Sequence, residues 1–109
     1  MQTIQSLAEF NEVVENNQAV LAYFSTDSCS VCHVLKPKVE QMIARDFPQI
    51  KLIYIPSDQQ PEVAAQNRVF TAPTVLVFFQ GKESIRKSRA FGIEELKAEI
   101  QRPYSLIFS

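Results

Sequence analysis

Apolar residues change their spacing several times along the chain, and each change marks a new element. Ser6-Leu7-Ala8-Glu9 has the Ser-x-x-Glu spacing of a capping box, in which two side chains satisfy free amides at a helix start. Leu7, Phe10, Val13 and Val14 follow at helical intervals and predict a first helix over Ser6 to Asn16. Ala19-Val20-Leu21-Ala22-Tyr23-Phe24 is an unbroken apolar run, the pattern of a strand covered on both faces. Polar Ser25 to Ser28 ends it.

From Cys29 the period is helical again, carried by Val31, Leu35, Val39, Met42, Ile43 and Phe47. Cys29 stands at the N-terminus of this second helix. Pro37, inside it, removes one backbone donor and predicts a kink, and Phe47-Pro48 closes the helix. Lys51 to Ile55 reads as a second strand, Asp58-Gln59-Gln60-Pro61 opens a short helix through Arg68, and Thr74 to Phe79 is a third apolar strand. Gly81 makes a turn, Glu83 to Phe91 is the antiparallel partner, and a last helix spans Ile93 to Arg102. With a weak strand at the start, the order is β-α-β-α-β-α-β-β-α, an α/β pattern without repeats. Pro103 to Ser109 remains as an apolar extension that either covers the body of the domain or offers a partner surface.

Composition narrows the field. A chain of 109 residues is expected to form a single domain, 1–109, and one of that size buries roughly two thirds of its unfolded surface without staples. A formal net charge of -1 implies neither nucleic acid nor an anionic membrane as partner. The longest apolar runs are too short to span a bilayer, and MQTIQSLAEF has no basic region or apolar core of a signal peptide. The expected setting is cytoplasmic and reducing, where two cysteines point to catalysis or metal binding more than to a structural bridge.

Both cysteines and the only histidine lie in Asp27-Ser28-Cys29-Ser30-Val31-Cys32-His33-Val34-Leu35-Lys36-Pro37. Those letters admit a dithiol redox pair, a Cys/Cys/His metal site, or a Cys-x-x-Cys-His haem attachment. Zinc in a closed site asks for about four protein ligands, and here Asp27 would be a strained fourth. Haem asks for a pocket that strand-helix alternation does not offer. No metal and no cofactor are expected.

Cys-x-x-Cys directly after a buried strand, Pro37 five residues past the second cysteine, and Ala72-Pro73-Thr74 opening a strand that turns at Gly81 together resemble the thioredoxin-like family over Val20 to Arg102. The resemblance implies a central mixed β-sheet flanked by helices and a thiol-disulfide oxidoreductase. Cys29, favoured as thiolate by the amides and dipole of a helix N-terminus, would attack a disulfide; Cys32, one turn inward, would resolve the mixed disulfide. In this family the proline matching Pro73 has a cis peptide bond beside the dithiol, and the residue before it, here Ala72, offers its backbone to the substrate's extended chain. The implied partners are disulfide-containing proteins, with a thioredoxin reductase or a low-molecular-weight thiol as electron donor. A non-catalytic or redox-sensing binding module on the same fold is the alternative.

Neighbouring residues would modulate the pair. Asp27 disfavours a nearby anion, Ser30 and Val31 replace the family's Gly-Pro, and His33 either faces solvent or reaches Cys29 at i+4. The family's buried carboxylate falls at Tyr23 and its lysine companion near Tyr54, so phenols replace the charge pair. Gly92 falls near the family's glycine beside the dithiol. Arg86, Lys87 and Arg89 read either as an anion site or as charges that block pairing at a sheet edge.

Overall fold

The computed structural model describes residues 1–108. Its elements are β1 (Gln2–Thr3), α1 (Leu7–Asn16), β2 (Ala19–Ser25), α2 (Ser30–Asp46), β3 (Lys51–Pro56), α3 (Pro61–Gln66), β4 (Thr74–Phe79), β5 (Lys82–Ser88) and α4 (Ile93–Phe108). The strands form one mixed sheet in the order β1-β3-β2-β4-β5. β3 runs parallel to β1 and β2, whereas β4 runs antiparallel to β2 and β5.

Alternation along the central strands divides the core in two, since successive side chains leave a strand on opposite faces. Leu21, Tyr23, Val75 and Val77 point to one side, where Val39, Met42 and Ile43 of α2 and Leu96 and Ile100 of α4 cover them. Val20, Ala22, Phe24, Leu76 and Phe78 point to the other, under Phe10 and Val14 of α1 and Val63 and Ala64 of α3. β2 is buried along its whole length, as its unbroken apolar run requires.

The capping box is present in shifted form. The Ser6 hydroxyl accepts from the Glu9 amide at 3.1 Å, while Glu9 reaches back to the Gln5 amide at 2.6 Å. Three element ends fall two or more residues from the sequence expectation. The short helix stops at Gln66 rather than Arg68, because Arg68 has φ +55° and leaves the helical region. β5 ends at Ser88 rather than Phe91, since Arg89 has φ +63° and its amide donates to the Pro73 carbonyl at 2.9 Å. α4 runs through Pro103 to Phe108, six residues past the expected end. Pro103 removes one ladder bond there, yet the last turns are held from the side. The Tyr104 ring packs edge-on against Phe47 at 5.0 Å and tilted against Phe108 at 4.7 Å, and its hydroxyl accepts from the Gln49 amide at 3.2 Å.

Candidate active site

Strand direction assembles the site. The C-terminal end of β2, the middle strand of the sheet, feeds α2, and the antiparallel register sets Phe24 opposite Thr74. The start of β4, with Ala72 and Pro73 just before it, therefore lies beside the start of α2.

Cys29 is the N-cap residue of α2, with φ -88° and ψ 98°. Its sulfur accepts from the Cys32 amide at 3.2 Å, and its own amide donates to the Thr26 carbonyl at 3.2 Å. Cys29 and Cys32 are joined as a disulfide with their Cα atoms 5.3 Å apart. Their environments differ: Cys32 is 1% exposed within the core, and Cys29 is half-buried at its edge.

The Ala72-Pro73 peptide bond is cis. Pro73 is buried, and Ala72 packs against the core cluster that also meets Cys29. The segment is tied on both sides, by the Thr74 hydroxyl donating to the Thr71 carbonyl at 2.7 Å and by the Arg89 amide on the Pro73 carbonyl.

Beneath the dithiol lies Tyr23, fully buried, whose hydroxyl donates to the Cys32 carbonyl at 2.7 Å. Its ring stacks on Tyr54 with centroids 6.3 Å apart, and the Lys36 ammonium sits 4.7 Å from the Tyr54 ring centre. Burial, and secondarily Tyr54, push the Tyr23 phenol up to about 12. The two phenols thus lie side by side beneath the dithiol, Tyr23 from β2 and Tyr54 from β3.

The remaining residues separate. Asp27 is exposed at the turn before α2, its amide donating to an Asp58 carboxylate oxygen at 3.3 Å. The His33 Nε2 lies 3.2 Å from the Asp27 carbonyl, a contact that needs a proton on that nitrogen. His33 is thus an exposed residue bound to the preceding turn. Ser30 and Val31 are exposed, Val31 by 58%. Gly92 lines a cleft shared with Val31 and Leu35, at the first turns of α2. The basic trio does not converge on an anion site. Arg86 pairs with Glu83 at 2.8 Å and donates to the carbonyls of Asn67 and Arg68, while Lys87 pairs with Glu95 and Glu99. Among the described residues no group of three or more His, Cys, Asp or Glu is arranged to hold a metal ion.

Two features escaped the sequence pattern. One is the Tyr23 hydrogen bond, whose partner is a backbone atom that no residue type announces. The other is a cavity of about 300 Å³ lined by Thr26, Asp58, Val69, Phe70, Thr71 and Ala72, with Phe70 81% exposed at its rim. The lone Phe70 in a polar loop just before Ala72-Pro73 was the signal available for it.

Comparison with known proteins agrees with this geometry. The Thioredoxin family model matches residues 2–102. The chain is 33% identical over 106 residues to the thioredoxin-like protein YdfQ of Bacillus subtilis, covering 97% of this chain and 94% of that one. Thioredoxin 1 of Synechococcus elongatus is 30% identical over 71 residues, 65% of this chain and 66% of its own. Among solved structures, Fasciola hepatica thioredoxin superimposes with a TM-score of 0.83 at 28% identity, over 94% of this chain and 98% of its own. The chain belongs to the thioredoxin family. With its Cys-x-x-Cys pair at bonding distance, it is a thiol-disulfide oxidoreductase, and a non-catalytic binding module is not favoured.

Proposed function

We propose that the protein exchanges disulfides with protein substrates, with Cys29 as the attacking thiol and Cys32 as the resolving one. The observation that carries this reading is the asymmetry of the pair: Cys29 is half-exposed at the α2 N-cap, and Cys32 is buried behind it. In the reduced protein the Cys32 amide and the other free amides of the first turn stabilise a Cys29 thiolate. The thiolate attacks one sulfur of a substrate disulfide; a Cys29–substrate bond forms and the substrate's second sulfur leaves as a thiolate. Cys32 then loses its proton, attacks the Cys29 sulfur and releases the remaining substrate thiolate. Two electrons pass from the dithiol to the substrate, and the Cys29–Cys32 disulfide results.

Ala72 and Pro73 form the docking edge, where the Ala72 backbone pairs with the extended substrate chain. Ser30, Val31 and His33 border the dithiol from α2, and Asp27 opposes negative charge next to Cys29. Return of electrons falls to a thioredoxin reductase or a low-molecular-weight thiol, and a reducing cytoplasm suits that direction. No helix among the described residues is long and apolar enough to cross a membrane.

The test is turnover. Wild-type protein with a thiol donor should reduce a disulfide-bonded protein substrate over many cycles, and Cys29→Ser should reduce none. A wild type that reduces no protein disulfide with any thiol donor would contradict the reading while leaving the fold intact.

A further inference from the structure

The hydroxyl of Tyr23 meets the backbone of the second active-site cysteine from below the sheet side of α2. The Cys32 carbonyl belongs to the first turns of that helix, where the ladder supplies it with one donor; the phenol engages its second lone pair. One residue on, the His33 carbonyl lacks its usual partner, because Pro37 has no N–H to donate. The start of α2 is therefore one ladder bond short, and the Tyr23 hydroxyl ties it to β2.

We propose that Tyr23 is a positioning residue for the resolving step: by holding the Cys32 carbonyl it fixes the turn that aims the Cys32 sulfur at Cys29, as a neutral dipole that accepts no proton. This rests on the assignment of Cys32 as the resolving thiol. The groups that face Tyr23 fit the role. From β3 comes Tyr54; from α2 come Cys32 and, over the Tyr54 ring, Lys36; from β4 come only the apolar Val75 and Val77. No carboxylate stands among them. The phenol, pushed up to about 12, stays protonated through the range in which a thiol ionises. In the resolving step the Cys32 proton passes to solvent, the Cys29–Cys32 bond forms, the bond from Cys29 to the substrate sulfur breaks, and the departing thiolate takes a proton from solvent.

The experiment mixes reduced protein with an aromatic disulfide whose thiolate absorbs visible light. The first thiolate released reports attack by Cys29 and the second reports resolution by Cys32. Tyr23→Phe should leave the first phase unchanged and slow the second about fivefold, the effect of one lost hydrogen bond. Tyr54→Phe, which leaves that bond in place, should keep both phases at wild-type rates. The second phase of the wild type should follow one ionisation with pH, and Tyr23→Phe should follow the same one. Equal second-phase rates in wild type and Tyr23→Phe would overturn the inference, and so would equal slowing of both phases. Should Tyr23→Phe not fold, the wild type alone decides: two ionisations in its second phase would make the phenol a proton acceptor and overturn the inference. Cys32→Ser keeps the two readings apart. A second phase at wild-type rate in Cys32→Ser would overturn the resolving assignment and the inference with it, whereas failure of the Tyr23→Phe comparison alone leaves the assignment standing.

Discussion

A cysteine at a helix cap and a cysteine in the core are different reagents, although they stand three positions apart. In the reduced protein at neutral pH, alkylation should label Cys29 first, because it alone combines exposure with the amides of the α2 N-terminus. Faster labelling of Cys32, read by mass spectrometry of partly modified protein, would reverse the assigned roles. Tyr23 offers a second measurement at this scale. Its ionisation is raised from an ordinary 10.0 to about 12, chiefly by burial. The folded value lies above the unfolded one, so the stability contributed by the neutral phenol is complete below about pH 10 and is lost as pH rises toward 12. Ultraviolet titration should show a late tyrosine step toward pH 12, and Tyr23→Phe should remove it. A late step that persists in Tyr23→Phe would assign it elsewhere.

At the scale of elements, the sequence was most legible where burial is two-sided or strictly periodic. β2 and β4 read as continuous apolar runs because helices cover both of their faces, and α1 announced itself through Ser6 and Glu9. The dithiol and the Ala72-Pro73 segment were legible for a related reason: each sits where one such element begins. What the pattern missed depends on contacts between distant segments. No local signal says that β5 stops at Ser88, since the stop is set by Arg89 bonding to the Pro73 carbonyl. Pro103 argued for the end of a helix, and the aromatic contacts of Tyr104 with Phe47 and Phe108 outweigh it. Of the apolar stretch after Arg102, Pro103 to Phe108 continues α4 with its Tyr104 side against the end of α2, and Ser109 lies outside the described residues. Replacing Tyr104 by Ala should cost about 1–2 kcal/mol for a half-buried aromatic and leave disulfide exchange unchanged. Denaturant unfolding reads the first effect; an unaltered midpoint would show that the terminal turns contribute nothing to the fold.

The whole molecule sets its one reactive pair on a frame whose ion pairs between side chains, among the described residues, are all at least partly exposed. Glu83, Glu95 and Asp46 have their carboxyls held below the ordinary range, in each case foremost by hydrogen bonds from Arg86, Lys87 and Arg45 respectively. Their folded values lie below the unfolded ones, so the stability they add is present above the usual carboxylate range and is lost as pH falls through the lowered values. These groups are solvent-screened, so the acid-side fall in Tm should be shallow and should shrink in high salt. A steep, salt-independent loss would point instead to a buried carboxylate. The central claim, that Cys29 attacks protein disulfides and Cys32 releases them, is tested most directly by trapping. Cys32→Ser keeps the attacking sulfur and removes the resolving one, so after incubation with a disulfide-bonded protein it should accumulate as a covalent adduct. Intact-mass analysis should show one substrate chain joined through Cys29 and freed by a small thiol. A Cys32→Ser protein that forms no adduct, or one joined at any other residue, would contradict the account.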